Sequence, residues 1–482
     1  MSKIKIGVIA AAGKGTRAYP RTTFIPKPLF QIEGKSFLLR NVQLLIDTFA
    51  VEKIYILVGH LKEQVIAEID AIRKIGVPAD LQAMDWTTKG LASDIASLQD
   101  KIDSPFLTIL GDEFYYKSNH GVFLASLEKQ PRAECLIGVL KTSILSRIRK
   151  NYSVELENND RVKHLVEKPV DPPNQYLGLG SYYFTPKYFE FFRQTPPSAK
   201  SGVIEITEVI DKMARETKQV YATHVQCDYF NINSMQDYHQ AVYEVRNDLF
   251  SKYKVSLIIP TYNNERSISD VLHDFQNKVH EMILVDSGSE DQTLQLAKEF
   301  QSKTITIDAN GNKNLGERVR KGIAMASGDI AIVISPGGEF RSKDFPKLLE
   351  YLKDCDMVVG TRTTRQMIEQ GSNLKPIPRL LNLIMGKLVE VFWWSQEPRF
   401  TDVDCRYMAV WKESFEKILP SLTVSNKFYT VEMMIEIVRA HMRCIEIPVS
   451  YHRPVEQTRY GFLQAVSDAF SILQIILKKK LG

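Results

Sequence analysis

Cysteine is scarce in this sequence. Five residues, Cys135, Cys227, Cys355, Cys405 and Cys444, are scattered over 482 positions without a CxxC pair. An odd, dispersed set excludes a disulfide framework and a zinc site, and points to reduced thiols in a cytosolic protein. Long apolar runs are missing as well: no stretch of about 18 apolar residues occurs, so no segment reads as membrane-spanning. Residues 1–9 are too short for a signal peptide and already read as a strand. Charge of one sign is not concentrated anywhere. The net charge of +5 divides as +2 over residues 1–250 and +3 over 251–482, with no basic block, which removes support for nucleic-acid binding. His60, His120, His164 and His452 occur singly, without metal-ligand spacing. What remains is 44% hydrophobic and 25% charged residues, which excludes wholesale disorder.

The chain begins twice. Residues 3–12 (KIKIGVIAAA) and 255–260 (VSLIIP) are apolar runs that read as buried parallel strands. Each is followed by strand–helix alternation. Strands are expected near 54–58 and 106–110, then near 282–285 and 330–334. Helices are expected near 61–73, 235–245 and 293–300. Such alternation predicts two α/β domains with mostly parallel sheets. Their junction, 246–254, contains no Gly or Pro and reads as short and stiff. Ligands of such sheets bind beyond the carboxyl ends of the strands.

After the first strand comes Ala11-Ala12-Gly13-Lys14-Gly15-Thr16-Arg17. Small residues and two glycines let backbone N–H groups approach a polyanion. Tyr19-Pro20 and Pro26-Lys27-Pro28 keep a helix from starting at once. Arg17 and Lys27 add two cations to the loop. A glycine-rich turn alone says little. Gly-x-Gly-Thr-Arg followed by Pro-Lys-Pro is more specific, and it is neither the G-x-x-x-x-G-K-S/T loop nor the dinucleotide fingerprint.

The run AAGKGTR…PKPLFQIEGKSFL resembles the signature of sugar-1-phosphate nucleotidyltransferases, and residues 3–245 follow that family in order. The resemblance implies a nucleotide-binding role for Ala12, Gly13, Gly15 and Thr16, and a nucleobase contact at Gly90. It implies a metal carboxylate at Asp112, a catalytic lysine at Lys168, and sugar-side residues at Glu167, Gly180 and Glu205. The substrates implied are an NTP and a sugar 1-phosphate, with Mg²⁺ or Mn²⁺ as cofactor. Arg17 and Lys27 would hold the β- and γ-phosphates, and Lys168 the attacking phosphate. Charge neutralisation is what such a displacement needs most. Two positions depart from the family. Asn231 replaces the second metal aspartate: it is either a ligand through its amide oxygen or a turn residue. Asp85 stands where a base-reading Gln is common. An acceptor there suits CTP or GTP beside UTP and dTTP, unless the alignment shifts by one residue and leaves Asp85 exposed. Trp86 reads either as a base-stacking lid or as packing.

The second half carries Tyr262-Asn263-Asn264-Glu265 after one strand and Asp286-Ser287-Gly288-Ser289 after the next. The latter alone could be a helix cap. The series continues through Gly316, Gly322, Asp329, Arg362, Asp402, Arg406, Glu432 and Glu446. Residues 254–470 are similar to family-2 inverting glycosyltransferases, particularly those like dolichyl-phosphate mannosyltransferase. The likeness implies a nucleotide-sugar donor. It places Tyr262, Glu265 and Asp286 at the nucleotide, Arg362 near the diphosphate or acceptor, and Asp402 as the acceptor-side base. The family's Asp-x-Asp is absent: Ser335-Pro336-Gly337-Gly338-Glu339 follows the strand instead. Three readings follow: Glu339 holds the metal with the donor phosphates, Arg362 and Arg365 replace the metal, or the domain binds without catalysing.

Apolar residues at helical spacing from Phe462 to Leu477, then Lys478-Lys479-Lys480, describe either a helix on a membrane surface or a packed terminal helix. A lipid-phosphate acceptor would use the first. Residues 380–394 read as a further amphipathic or buried helix. The expected architecture is α/β, two Rossmann-like (GT-A type) three-layer domains over 1–247 and 254–482. The expected function is bifunctional: nucleotide-sugar synthesis followed by sugar transfer, in the cytoplasm or peripherally at the inner face of the membrane. The alternatives are a single nucleotidyltransferase with a non-catalytic binding module, or one acting on another small phosphorylated substrate.

Overall fold

A computed structural model describes residues 4–85, 90–300, 314–370, 372, 376–396, 398–455 and 461–481, and the backbone of 303–306. The chain divides into two units, Met1–Ala241 and Val242–Gly482. The helix Met235–Leu249 runs without interruption through that division, and a short turn, Phe250–Lys252, leads to the next strand.

The first unit is built on a mixed sheet whose centre is parallel. Ile6–Ala11 lies between Lys53–Val58 and Phe106–Leu110, parallel to both, and Asp80–Asp85 extends it. These strands are apolar because helices cover both faces; Val8, Ile9, Leu57 and Phe106 are fully buried. Burying each such side chain contributes roughly 1.5–3 kcal/mol. The long strand Tyr176–Phe184 joins Phe106–Leu110 antiparallel and brings in Cys135–Lys141 and Tyr152–Leu156. Helix Phe37–Phe49 starts where the Ser36 hydroxyl accepts the Leu39 N–H, a side-chain cap that satisfies one unpaired donor. A separate antiparallel ribbon pairs Glu113–Tyr116 with Asp228–Asn231.

The second unit has a seven-stranded sheet. Val255–Thr261 is central, parallel to Glu281–Asp286 and to Ile330–Ile334. Tyr407–Trp411 runs antiparallel between Ile330–Ile334 and Met357–Thr361. Two long helices, Pro376–Phe392 and Phe462–Leu481, pack on each other. No helix among the described residues is long and apolar enough to cross a membrane.

The terminal helix is packed, with Ala465, Ile472 and Ile476 turned inward. Its opposite face exposes Phe462, Leu463, Val466, Phe470 and Leu477. Of the three lysines at its end, Lys479 is buried and paired with Glu432 and Glu436 at 2.7 and 2.9 Å. Only Lys478 and Lys480 are left at the surface.

Candidate functional site

In the first unit the loop after Ile6–Ala11 closes around a lysine. Gly15 has φ +62, and a Cβ there would meet the Lys27 side chain at 3.1 Å; only glycine allows this turn and this approach together. Thr22 Oγ1 donates to the Gly15 carbonyl at 3.0 Å, which ties the loop to the short turn that follows. Lys27 is thereby buried, and its Nζ lies 3.2 Å from Asp112 Oδ2. Ala12 is buried, while Gly13, Thr16 and Arg17 are exposed at the rim.

Asp112 follows the strand Phe106–Leu110 and precedes the ribbon. In the ribbon Asn231 pairs with Glu113, and Ile232 N–H donates to the Asp112 carbonyl at 3.1 Å. Asp112 and Asn231 are therefore neighbours across the two strands. The Asn231 Nδ2 donates to Asn151 Oδ1 at 2.5 Å, and Asn151 Nδ2 donates to the Arg147 carbonyl at 2.9 Å. That chain leaves the Asn231 amide oxygen as the unused acceptor. The Asn151 carbonyl accepts the Lys168 N–H at 2.7 Å, so one asparagine links the Asn231 and Lys168 segments. Lys168 pairs with Glu167 at 2.9 Å, and Thr207 Oγ1 donates to Glu167 at 3.3 Å. Glu205 stands at the start of the helix Ile206–Thr217.

Glu113 has no precedent in the sequence reading. It is buried and accepts from Tyr115, from Tyr229 at 2.7 Å and from the Gly180 N–H at 2.8 Å. Burial pushes its carboxyl up to about 7 against the pull of the tyrosine hydroxyls, and Asp112 adds to the rise. A Cβ at Gly180 would sit 2.6 Å from the Glu113 carboxyl carbon, so this strand position needs glycine for close approach. The only signal in sequence was adjacency to Asp112.

Asp85 ends its strand in the open, its carboxylate ion-paired with Lys62. Trp86 lies outside the described residues. Gly90, at φ +101, precedes the helix Leu91–Ala96.

The second unit holds a cavity of 530 Å³ with two kinds of wall. Tyr262, Asn264, Arg318 and Ser335 contribute polar groups; Leu381, Met385, Ala469 and Ile472 of the two long helices form a largely apolar side, to which the same helices add Asn382 and Asp468. Tyr262, Glu339 and Arg362 come together in this lining; Glu265, Asp286 and Asp402 are not among the lining residues. Asp286 is buried within its own turn, accepting the Gly288 and Ser289 N–H groups at 2.8 Å. Glu265 accepts the Gln292 N–H at 3.1 Å.

Asp402 and Arg362 form a bidentate pair at 2.7 and 2.8 Å. The Arg362 N–H and Asn382 Nδ2 also donate to Asp402, at 2.9 and 2.7 Å. Burial alone would raise the Asp402 pKa, but the Arg362 guanidinium outweighs it and holds the carboxyl below its ordinary value. Asp404 does line the cavity, and its buried Oδ1 has no partner. Burial raises its pKa above the ordinary value, against the pull of Arg406. Arg318, Asp404 and Arg406 were not singled out for a role from sequence.

Comparison with known proteins bears on both units. Residues 6–248 match the family model Nucleotidyl transferase, and residues 256–414 match Glycosyl transferase family 2. The chain is 32% identical over 235 residues to the UTP–glucose-1-phosphate uridylyltransferase AglF of Haloferax volcanii, covering 48% of this chain and 93% of that protein. It is 27% identical over 261 residues to UTP–glucose-1-phosphate uridylyltransferase 2 of Staphylococcus saprophyticus, covering 48% and 88%. To the bifunctional protein GlmU of Methanocaldococcus jannaschii it is 28% identical over 212 residues, covering 44% of this chain and 47% of that protein. A solved structure of UDP-glucose pyrophosphorylase complexed with UDP-glucose aligns at TM-score 0.45 and 24% identity, over 52% of this chain and 99% of that one.

Proposed function

We propose that this chain, which belongs to the nucleotidyl transferase family and carries a glycosyl transferase family 2 domain, works in two steps. The first unit makes a nucleotide-sugar from UTP and a sugar 1-phosphate; the second passes the sugar to an acceptor with an apolar tail. We divide the activities between residues 1–247 and 254–482.

The observation that carries the first step is the buried Lys27 ammonium 3.2 Å from Asp112, with Asn231 across the ribbon. A sugar-phosphate oxygen bonds to the α-phosphorus as the bridging oxygen departs with pyrophosphate. The attacking oxygen is already ionised, so no base is required. Lys27 and Arg17 counter the charge of the triphosphate and of the leaving pyrophosphate; Lys168 guides the incoming phosphate. The loop of Ala12, Gly13, Gly15 and Thr16 offers N–H groups to the nucleotide, Gly90 faces the base, and Glu167, Gly180 and Glu205 face the sugar. Asp112 and the free amide oxygen of Asn231 are hard donors that fit Mg²⁺ or Mn²⁺, ions content with one or two protein oxygens beside phosphate and water. When bound, the ion would neutralise phosphate charge. UTP is favoured because two of the relatives are named for it. The Asp85 acceptor that suited CTP or GTP is already engaged by Lys62. Pyrophosphate release from UTP and glucose 1-phosphate, dependent on Mg²⁺ and lost in Asp112→Ala, is the test. A screen of the common NTPs and sugar phosphates without turnover overturns the reading.

For the second step, the apolar wall of the cavity and the exposed faces of the two long helices support a lipid-phosphate acceptor reached at the cytoplasmic face of a membrane. An ionised phosphate needs no base. A hydroxyl acceptor would, and Asp404 in the lining is better placed for that than Asp402, which is committed to Arg362. One observation favours a second reading, a binding module without catalysis: a single carboxylate, Glu339, follows Ile330–Ile334. Consumption of radiolabelled UDP-sugar with extracted lipid separates the two; binding without consumption selects the second.

A further inference from the structure

The segment after Ile330–Ile334 does not fit a divalent cation held before the donor arrives, because a single carboxylate leaves the rest of the shell to phosphate and water. It offers one side-chain carboxylate, Glu339, 9% exposed and with Oε2 unpartnered. No cluster of three or more His, Cys, Asp and Glu side chains able to hold a metal exists among the described residues. The other carboxylates of the lining are Asp404, with Arg406 two residues on, and Asp468, paired with Lys427 at 2.6 Å.

Fixed cations line the same cavity. Arg318, on the helix Leu315–Met325, is 7% exposed. Its Nη1 donates to the Thr261 carbonyl at 2.7 Å, which pins the guanidinium at the carboxyl end of the central strand. Its Nε is buried without a partner. Burial pulls its pKa down, and Asp286 and Tyr429 only partly restore it. Desolvating a guanidinium and leaving a donor unused is costly unless an anion arrives to use it. Arg406 lines the cavity with Asp404; burial lowers its pKa, but Asp404, Tyr429 and Glu339 together raise it above the ordinary value. Arg362 is spent on Asp402, and Arg365 is not in the lining.

We infer that the second unit holds the diphosphate of a nucleotide-sugar with Arg318 and Arg406, and not with a divalent cation. This rests on reading the cavity as a nucleotide-sugar site. Two planar guanidiniums suit phosphate oxygens in pairs, and both belong to the lining that also carries Leu381, Met385, Ala469 and Ile472. The two halves of the chain would then differ in metal requirement.

The probe is UDP, titrated calorimetrically into the full chain in EDTA and in Mn²⁺. The first unit can also bind it, so the quantity read is the binding component that Lys27→Met and Asp112→Ala leave unaltered. Affinity of that component should agree within about twofold between EDTA and Mn²⁺. Arg318→Met and Arg406→Met should each weaken it roughly tenfold or more, and Arg318→Lys should retain part. Glu339→Gln should bind as well or better, since it removes a negative charge. Binding that requires Mn²⁺ and is lost in Glu339→Gln overturns the inference in favour of a metal. UDP binding untouched by any of these variants overturns the reading of the cavity as well. Continued pyrophosphate release by the first unit in the same variants leaves the nucleotidyl-transfer reading standing in either case.

Discussion

Lys27 holds its ammonium 3.2 Å from Asp112 with only 6% of its surface exposed. A preorganised cation in such a place is not screened by water and does not have to reorganise as charge moves onto the leaving pyrophosphate. Lys27→Met should lower kcat/KM for pyrophosphate release by roughly 10²–10³, measured at fixed Mg²⁺, with the melting temperature little changed. Arg17, exposed on the same loop, should matter less. Glu446 offers a test of a different kind. Burial pushes its carboxyl up to about 7 despite hydrogen bonds from Thr401 and the Asp402 N–H, with Asp402 adding to the rise. Its unfolded value is near 4.5, so the folded chain binds the proton more tightly. That contribution is complete below pH 4.5 and disappears as pH rises through about 7. The second unit should therefore lose on the order of 2 kcal/mol between pH 4.5 and 8 from this group. Glu446→Gln should flatten that slope in calorimetric melts; an unchanged slope would assign it to other groups.

At the scale of elements, the helices Pro376–Phe392 and Phe462–Leu481 each turn one face inward and leave another open. Leu380, Ile384 and Val391 are exposed on the first, Phe462, Leu463, Val466 and Phe470 on the second. Exposed apolar side chains repeated along a helix face are what an interaction site requires, and these two helices also line the cavity with apolar side chains. Vesicles of anionic phospholipid should sediment the chain, and Leu380→Asp with Phe470→Asp should abolish this without affecting pyrophosphate release. Vesicle binding equal in the double variant would leave those faces without that role. The helical spacing of the terminal segment was legible in sequence, as were the strands at 54–58, 106–110 and 330–334. Buried parallel strands are apolar on both faces and end in the residues that carry chemistry. The burial of Lys479 was not legible, because its partners Glu432 and Glu436 lie some forty residues away. Asn151 escaped for the same reason: its bond to Asn231 spans 80 residues, and no local pattern marks an asparagine as an orienting group. Arg318 was not singled out in sequence, because the Thr261 carbonyl it reaches lies 57 residues away.

At the scale of the whole molecule, each unit has its own sheet, its own core and its own polar cluster beyond the strand ends. Nothing in the chemistry of one cluster requires a residue of the other. Asp112→Ala should therefore stop nucleotide-sugar synthesis while leaving transfer from supplied UDP-sugar intact. Arg318→Met should do the reverse. Mixing the two full-length variants then asks what the shared chain contributes. If the intermediate diffuses freely, the mixture should make final product from UTP, sugar 1-phosphate and lipid at a rate set by bulk UDP-sugar, after a lag that shortens as protein concentration rises. The intact chain raises the local concentration of its own intermediate only if linkage brings the second site within reach before escape. A mixture matching the intact chain at every dilution would show that fusion acts on co-expression alone. A mixture that falls behind on dilution, while the intact chain does not, would show that the linkage itself retains the intermediate.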